Sequence, residues 1–336
     1  MISLLASYLL YYLKLVIIVG AIVGTVAGKA VGRATGKAAG KAVGREAIRV
    51  LVAGGTGSIG GALIEVLQSR GHRVTCLVRS KESELRLRKS GFNTLRGDIT
   101  DPYQWIDSVA DFDAVLPVAA TWDDDMAFVD AQLTNLLIEA LATPNAEKIL
   151  IYTSGCWVYG QTGDQIAIET TAHCSSSEFA WCSGLHRAVV DSEHLTGMVI
   201  LPAMVYERDG GVLDPMIDDA KKLGKIRLVG SDTTRWSMVH RYDLAMLYAL
   251  MLERGEQGAV YNGAAMVGLQ VGEIARVLSR RYQLQQPPEV ISVDEAVATM
   301  GSWASGYSID QQMSGQKAMR ELAWQPEYAD VLAEIK

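Results

Sequence analysis

Short apolar runs alternate with longer amphipathic stretches between residues 49 and 202 of this chain. Five runs have the length and β-branched character of buried strands: 49–53, 74–78, 114–118, 148–153 and 198–202. The stretches between them that have helical spacing are 58–70, 124–142 and 177–195. Because strands that alternate with helices pair in parallel through right-handed crossovers, the pattern predicts an α/β fold with a doubly wound, Rossmann-type sheet.

The pattern changes after about residue 206. From residue 207 onward the elements are mixed and long apolar strands are few. We interpret residues 49–206 as a Rossmann domain and residues 207–336 mainly as a small C-terminal α/β lobe that binds the substrate. The cleft is expected at the carboxyl ends of the parallel strands, where such folds bind their ligands.

Residues 1–28 are almost wholly apolar and predict an N-terminal hydrophobic helix, although Lys14 interrupts the run. About 20 apolar residues span a bilayer as a helix. The basic residues that follow predict that the rest of the chain lies on the cytoplasmic face of a membrane. A lysine at mid-bilayer costs roughly 2.5–3.5 kcal/mol. The helix therefore either starts near Lys14 or lies in the interface, with Tyr11 and Tyr12 at headgroup depth.

Residues 29–48 are interpreted as a basic linker rich in glycine and alanine, which continues a four-residue glycine repeat that begins at Gly20. Two alternatives remain. In the first, small residues at this spacing let two helices pack closely in lipid, and the basic residues suit anionic headgroups. In the second, the start codon is wrongly assigned, which would make the protein soluble and cytoplasmic.

Composition excludes several classes of protein. The 336 residues are 49% hydrophobic, which is enough for a sizeable core, and the formal net charge of -7 argues against a nucleic-acid partner. The four cysteines form no CxxC pair and show no Cys/His spacing of the kind that zinc requires. Their scatter predicts reduced thiols and no metal site.

A glycine-rich turn joins the first predicted strand to the first predicted helix. It reads Gly54-Gly55-Thr56-Gly57-Ser58-Ile59-Gly60. In this context glycines permit a tight turn, and backbone N–H groups at the helix N-terminus reach a diphosphate. The turn therefore predicts a dinucleotide site that includes Gly54, Thr56, Gly57, Ser58, Ile59 and Gly60.

The end of the second predicted strand indicates which dinucleotide is bound. A site for NAD usually offers an acidic residue there, whereas this chain has Arg79 followed by Ser80. A guanidinium pairs with the 2′-phosphate of NADP and gains little from a bare ribose hydroxyl. The sequence thus favours NADP(H) over NAD(H), with Arg79 and Ser80 in the site.

Several further segments, together with the GxxGxxG spacing of the turn, resemble the extended and atypical short-chain dehydrogenases/reductases, the NAD-dependent epimerase/dehydratase family. Gly97–Asp101 looks like the family's GD(I/L)xD element, and Tyr152–Gly160 resembles SSxxVYG. Leu201–Tyr206 is similar to RPxxVYG, and Met238–Ala245 resembles VHVDDLA. Met313–Pro326 looks like the C-terminal segment that ends in LGWxP, so the resemblance covers about residues 49–330.

The resemblance implies further cofactor contacts. It implies that Asp98 and Ile99 lie beside the adenine, that Ala119 and Ala120 lie along the cofactor, and that the turn under the nicotinamide contains Pro202, Ala203 and Val205. It also implies a possible homodimer, because many relatives pair through helices.

The family's Tyr-xxx-Lys pair is absent. Counted from Ser154, Trp181 falls where the tyrosine belongs and Leu185 where the lysine belongs. No lysine occurs between Lys148 and Lys221. The chemistry needs a group that transfers a proton at the substrate oxygen and a cation that anchors the ribose. The proton must therefore come from a non-standard donor.

Four residues are candidates to replace the missing pair. Ser154, Tyr159 and His186 are the catalytic candidates, and Arg187 is the candidate ribose anchor. Each has a structural alternative: packing for the serine, a buried position for the tyrosine, and a surface or satisfied position for the histidine.

Two functions from different classes follow. The first is an NADP(H)-dependent oxidoreductase, epimerase or isomerase that acts on a small carbonyl or hydroxyl substrate, lipophilic if the membrane helix is real. The second is a non-catalytic NADP(H)-binding sensor or a membrane-tethered assembly protein. A protein that became non-catalytic would lose the Tyr-xxx-Lys pair and keep the nucleotide-binding elements.

Overall fold

The computed structural model describes residues 47–143 and 147–336. The predicted hydrophobic helix over residues 1–28, and the basic linker apart from residues 47 and 48, lie outside the described residues. Within the described ranges, every helix is too short or too polar to cross a bilayer.

The centre of the fold is a seven-stranded sheet in which every pair of neighbours is parallel. In spatial order its strands are Val260–Gly263, Thr196–Pro202, Ile149–Thr153, Ala114–Pro117, Arg49–Ala53, Arg73–Val78 and Asn93–Arg96. The strand order reverses direction between Arg49–Ala53 and Ala114–Pro117, so a ligand crevice is expected at their carboxyl ends. The predicted Rossmann fold is confirmed.

Helices cover both faces of this sheet, because the connections run outward in two directions from its centre. Ser58–Ser69 and Lys81–Lys89 connect the strands on one side, and Met126–Leu141 and Ala180–Val190 connect those on the other. Helix Ser58–Ser69 packs against Arg241–Arg254, and Met126–Leu141 packs against Ala180–Val190. The apolar strands between the two layers form the core.

The predicted elements agree with the structure to within a few residues, except at the edges. The helix predicted over 177–195 is shorter and spans Ala180–Val190. The strand Asn93–Arg96 was not predicted because its exposed or half-buried residues carry no apolar pattern. Val260–Gly263 was not predicted either, since this short edge strand ends in Asn262 and Gly263.

The remaining elements form the smaller C-terminal part. A four-stranded sheet contains Met266–Gln270, Arg235–His240, Met204–Glu207 and Gly210–Gly211, and a two-stranded sheet pairs Glu289–Ile291 with Arg227–Val229. Its helices are Asp214–Leu223, Val271–Arg281, Val293–Met300, Gln316–Glu321 and Val331–Glu334.

The predicted boundary after residue 206 does not separate two independent bodies. Beyond it the chain returns to the Rossmann layers. Helix Arg241–Arg254 packs on Ser58–Ser69, and strand Val260–Gly263 extends the main sheet beside Thr196–Pro202. Residues 207–336 therefore build the small lobe and also complete the nucleotide-binding half.

Candidate functional site

The glycine-rich turn between Arg49–Ala53 and Ser58–Ser69, called the glycine corner below, has room only for glycine at two positions. Gly54 has φ +101°, and a Cβ there would lie 2.9 Å from the backbone N of Ala119. A Cβ on Gly60 would lie 2.1 Å from the carbonyl oxygen of Gly54. The Gly57 N–H closes the turn by donating to that same oxygen, at 2.9 Å. The first helical turn is thus drawn onto the strand end, as a diphosphate-binding corner requires.

The structure brings the other predicted cofactor residues to the same edge of the sheet. Ala119 follows strand Ala114–Pro117 and packs directly on Gly54, while Thr56, Gly57 and Ala120 are exposed beside it. Pro202 and Ala203 are buried at the end of Thr196–Pro202, two strands from Ala114–Pro117, and Ile99 and Val205 are half-buried. An open helix N-terminus and a floor of small residues fit a dinucleotide.

Arg79 lies where the ribose end of such a dinucleotide is expected. It follows strand Arg73–Val78, and 78% of its side chain is exposed. Its Nε is 3.8 Å from Asp98 Oδ2, a long and solvent-screened ion pair. Asp98 Oδ1 accepts hydrogen bonds from the N–H and hydroxyl of Thr100, so Asp98 also shapes its own turn. The guanidinium is left available to a phosphate.

Ser80 has a structural role in addition to its predicted one. Its hydroxyl accepts a hydrogen bond from the Ser83 N–H at 3.1 Å and caps helix Lys81–Lys89. The helix N-terminus therefore opens beside Arg79, where its dipole favours an anion.

Glu207 is a site residue that the sequence did not reveal. Ser58 Oγ donates a hydrogen bond of 2.8 Å to Glu207 Oε1, and Arg241 pairs with the other carboxylate oxygen at 2.9 Å. The corner is thereby tied to the C-terminal part. The one available signal was that Glu207 stands where the RPxxVYG pattern has its glycine.

Ser154 and Tyr159, two of the predicted catalytic residues, are placed unfavourably for catalysis. Ser154 Oγ is sealed from solvent and has no hydrogen-bond partner among the described residues. Tyr159 is 3% exposed and donates to Asn262 Oδ1 at 2.8 Å. Burial raises the pKa of the Tyr159 phenol. Folding encloses both hydroxyls, and their catalytic role stays a prediction.

His186, the third predicted catalytic residue, is also buried. It is 7% exposed, on the side of helix Ala180–Val190 that also buries Cys182, Leu185 and Val189. Burial, with the nearby His173 and Arg187, lowers the pKa of His186 to about 4. At neutral pH this imidazole is therefore neutral and lacks the acidic proton of an imidazolium, and its catalytic role stays a prediction.

The same helix places different polar groups at its accessible side. Ser183 Oγ lies 2.8 Å from Nδ1 of His173, and both residues are half-buried. Arg187 follows Ser183 by four residues and is exposed. The ring of His173 is 5.1 Å from that of His186 and 5.6 Å from that of Tyr159, centroid to centroid. Sequence reasoning missed His173 and Ser183 because ten residues separate them.

The alignment by counting residues placed Trp181 and Leu185 at the missing Tyr-xxx-Lys positions, which the structure does not favour. Leu185 is buried on the core side of the helix. Trp181 is half-buried at the helix start, where its indole N–H donates to the Glu178 carbonyl at 2.8 Å. The hydroxyl and the cation at the same spacing on this helix are Ser183 and Arg187, each two residues beyond the counted positions.

Aromatic side chains connect the strand ends of the main sheet to the small lobe. Trp122 follows strand Ala114–Pro117, is 54% exposed and lies edge-on to Trp303 with ring centroids 5.3 Å apart. Trp303 contacts Tyr307 at 5.6 Å, and Tyr307 contacts Trp157 at 6.1 Å. Trp157 in turn packs on Phe179 at 4.7 Å. We call these five residues the aromatic wall.

Comparison with known proteins agrees with this architecture. The sequence profile described as "NAD dependent epimerase/dehydratase family" matches residues 50–264. The chain is 29% identical over 304 residues to the uncharacterized protein YLL056C of Saccharomyces cerevisiae, a match that covers 86% of this chain and 98% of that protein. It is 25% identical over 231 residues to the 2-alkyl-3-oxoalkanoate reductase of Stenotrophomonas maltophilia, which covers 65% and 69% respectively.

A solved structure shares the fold. The human epimerase family protein SDR39U1 (isoform2), crystallised with NADPH, superposes with a TM-score of 0.68 at 22% identity. The superposition covers 86% of this chain and 98% of that one.

Proposed function

The chain belongs to the NAD dependent epimerase/dehydratase family, and from that premise we propose that it is an NADP(H)-dependent reductase of apolar carbonyl compounds. The broader assignment, an NAD(P)-dependent enzyme of the oxidoreductase or epimerase type, follows from the family and its reductase relatives. The proposal adds the cofactor preference, the direction and the substrate class.

The observation that carries the proposal is the pairing of the glycine corner with an open guanidinium. Thr56 and Gly57 are exposed at the N-terminal end of helix Ser58–Ser69, where a diphosphate is expected, and Arg79 is exposed at the end of the adjacent strand. A 2′-phosphate offers Arg79 a charge-assisted pair that a 2′-hydroxyl does not. When bound, the reduced nicotinamide supplies a hydride, and the protein orients the substrate and handles one proton.

Calorimetry with NADPH and NADH tests the cofactor preference. Arg79→Ala should weaken NADPH binding by about tenfold to 100-fold and leave NADH binding nearly unchanged. The matched control is Arg73→Ala, at the opposite end of the same strand, which should change neither affinity. Equal losses for the two cofactors with Arg79→Ala would refute the NADP(H) preference, and no heat with either would refute the dinucleotide site.

The aromatic wall supports an apolar substrate. Trp122 is its most exposed ring, Trp303, Tyr307 and Trp157 are half-buried, and Phe179 is buried behind them. Covering the exposed face of Trp122 with an apolar ligand is favourable. The name of the Stenotrophomonas relative describes reduction of an alkyl-bearing oxo acid, which is a carbonyl substrate with apolar chains. We therefore extend to this chain a substrate that carries a carbonyl group and a bulky apolar part.

A panel of ketones, enones and quinones, assayed by loss of the reduced-nicotinamide absorbance, tests the substrate class. Turnover should favour members with rings or alkyl chains, and Trp122→Ala should raise KM by about tenfold for these and little for small ketones. Phe128→Ala is the control, since Phe128 is 52% exposed but lies outside the wall. Preference for small polar ketones would contradict the proposal.

A non-catalytic sensor or assembly protein is the second candidate function. It is favoured by the absence of the Tyr-xxx-Lys pair from a chain whose glycine corner is intact. Tight NADPH binding without oxidation by any member of the panel would select this alternative.

Attachment of residues 1–28 to a membrane, with the enzyme on its cytoplasmic face, stays a proposal from the sequence. A reporter fused to residues 1–47 should sediment with membranes and resist carbonate extraction if the segment spans.

The proposed homodimer is tested by light scattering on the purified protein.

A further inference from the structure

We propose that Ser183 and His173 transfer the proton in this active site, with Arg187 as the cation beside them, in place of the missing Tyr-xxx-Lys pair. The inference rests on the proposed function and supplies its proton donor.

Ser183 and Arg187 lie on a helix that starts at the cofactor edge of the sheet. Helix Ala180–Val190 follows strand Ile149–Thr153 and precedes Thr196–Pro202, so it begins at the carboxyl edge of the parallel sheet, the edge of the glycine corner. Ser183 and Arg187 are four residues apart, which puts both side chains on one face of the helix. That is the separation of the hydroxyl and the cation in a Tyr-xxx-Lys pair.

The second support is accessibility. Ser183 and His173 are half-buried and Arg187 is exposed, whereas Ser154 Oγ is sealed and Tyr159 and His186 are buried. A group that hands a proton to a substrate must contact it. Among these polar side chains, the first three are accessible from outside the protein and the last three are enclosed.

The third support is the hydrogen bond between the two candidates. Ser183 Oγ and His173 Nδ1 are 2.8 Å apart, within the range for direct proton transfer. The imidazole is oriented by edge contact with the ring of Tyr159 and by the tilted ring of His186. A serine hydroxyl is a weak acid by itself, and an adjacent imidazole supplies the proton it gives up.

In the proposed step, a hydride and a proton add across the C=O bond of the substrate. The carbonyl carbon gains the hydride and forms a C–H bond while the C=O π bond breaks. The carbonyl oxygen takes the proton of Ser183 Oγ, and Ser183 takes a proton from Nδ1 of the His173 imidazolium. His173 is left neutral and regains a proton from water. Carbonyl compound, reduced nicotinamide and one proton give alcohol and oxidised nicotinamide.

Arg187 has a positioning role in this scheme. Its positive charge lies near both imidazoles and adds to burial, the larger cause, in lowering the pKa values of His173 and His186. Because the side chain is exposed on the same helix face as Ser183, it is the available cation for the ribose hydroxyls of the cofactor. Arg187→Ala should weaken NADPH binding by about tenfold, and Arg187→Lys should recover most of it.

The test uses the full chain with NADPH and 9,10-phenanthrenequinone, a reactive aromatic dicarbonyl. Ser183→Ala should lower kcat by about 10² to 10⁴ and His173→Asn by at least about tenfold, while Ser183→Thr, which keeps a hydroxyl, stays near wild type. The matched controls are Ser177→Ala in the preceding loop and His194→Asn after the helix, an exposed residue whose φ of +63° asparagine tolerates. Neither control should change kcat.

A second readout separates catalysis from folding. The dissociation constant for NADPH and the unfolding midpoint should be unchanged in Ser183→Ala and His173→Asn. A hydrogen bond that only pins the loop to the helix would instead lower stability and leave the kcat of the folded fraction intact. That result would overturn the inference, as would full activity of Ser183→Ala. If wild type binds NADPH and reduces nothing, the reductase proposal fails together with the inference, whereas normal wild-type turnover with an active Ser183→Ala removes the inference alone.

Discussion

The glycine corner and the polar face of helix Ala180–Val190 are two halves of one proposed site, and they are built on different principles. The corner is made of backbone, since Gly54 and Gly60 matter because they have no side chain. The helix face is made of side chains, and its closest pair, His173 and Ser183, comes from separate segments. The glycine corner consists of seven consecutive residues, whereas the helix face combines residues from separate segments of the chain.

The two halves differ in how well they tolerate substitution. A backbone corner has few alternatives, because a Cβ at Gly60 would overlap the Gly54 carbonyl. A proton donor has many alternatives, because any acidic hydrogen within reach can serve. Loss of the standard tyrosine and lysine is therefore compatible with retained chemistry, whereas loss of the corner glycines is not compatible with retained binding.

Gly60→Ala should have the largest effect. The new Cβ would meet the Gly54 carbonyl oxygen at 2.1 Å, and its other near neighbours are also backbone atoms of Gly54 and Gly55, which cannot rotate away as a side chain can. We expect NADPH binding to fall by more than about 100-fold and the free energy of unfolding to fall by about 2–4 kcal/mol, measured by calorimetry and denaturant titration.

The control for this change is Gly61→Ala, one residue further along the same helix. A Cβ there would have its nearest neighbour at 4.0 Å. It should leave NADPH binding intact and stabilise the fold by about 0.4–1 kcal/mol. If both alanines behave alike, the corner does not depend on glycine in the way described.

The pH dependence of kcat sharpens the other half of the comparison. Burial first, and the charge of Arg187 second, lower the pKa of His173 below its usual value. The groups that face this imidazole are Ser183, His186 and Arg187 on the helix and Tyr159 on the neighbouring turn. Because the protonated form donates, activity is full below that pKa and falls by about tenfold per pH unit above it.

Phenanthrenequinone reduction measured across the acidic and neutral range checks this dependence. Ser183→Thr should keep the profile, and the residual activity of His173→Asn should be independent of pH. A wild-type rate that rises with pH would show that the donor is not His173.

Asp130→Asn tests the carboxylate on helix Met126–Leu141, the helix that packs against Ala180–Val190. Burial raises the pKa of Asp130 to about 6, although the Tyr152 hydroxyl donates to this carboxyl at 2.6 Å. A raised carboxyl pKa means that the unfolded chain loses its proton first as pH rises. The native state is therefore relatively destabilised as pH rises through about 4 to 6. Removing the charge should stabilise the protein by about 1–3 kcal/mol near neutral pH and by nothing in acid.

Denaturant titrations at acidic and neutral pH measure this effect. Glu139→Gln, an exposed carboxylate on the same helix, is the control and should be neutral at both. A stability gain from Asp130→Asn that is independent of pH would contradict the ionisation argument.

Tyr159→Phe should have the smallest effect. It removes the hydroxyl that donates to Asn262 and leaves a buried acceptor without that partner, at a cost of about 0.5–1.5 kcal/mol. The kcat should not change, because this hydroxyl is enclosed. Tyr103→Phe, at a side chain that is 64% exposed, should change neither quantity. A large fall in kcat with Tyr159→Phe would return Tyr159 to the catalytic role first predicted for it.

Much of the fold was predictable because its signals are local. The strands Arg49–Ala53 and Ile149–Thr153 were placed within one residue, since a buried strand in a parallel sheet is a short continuous apolar run. The edge strand Asn93–Arg96 was missed because its half-exposed residues leave no such run.

The sequence by itself determined the Rossmann topology, the glycine corner and the position of Arg79 after the second strand, because each depends on residues that are neighbours along the chain. Which polar groups are enclosed and which stay accessible is clear only from the three-dimensional structure. It enclosed Ser154, Tyr159 and His186 and brought His173 against Ser183. The physical reason is that burial and hydrogen bonding between distant segments are set by how the loop before helix Ala180–Val190 folds back, and no local pattern records that path.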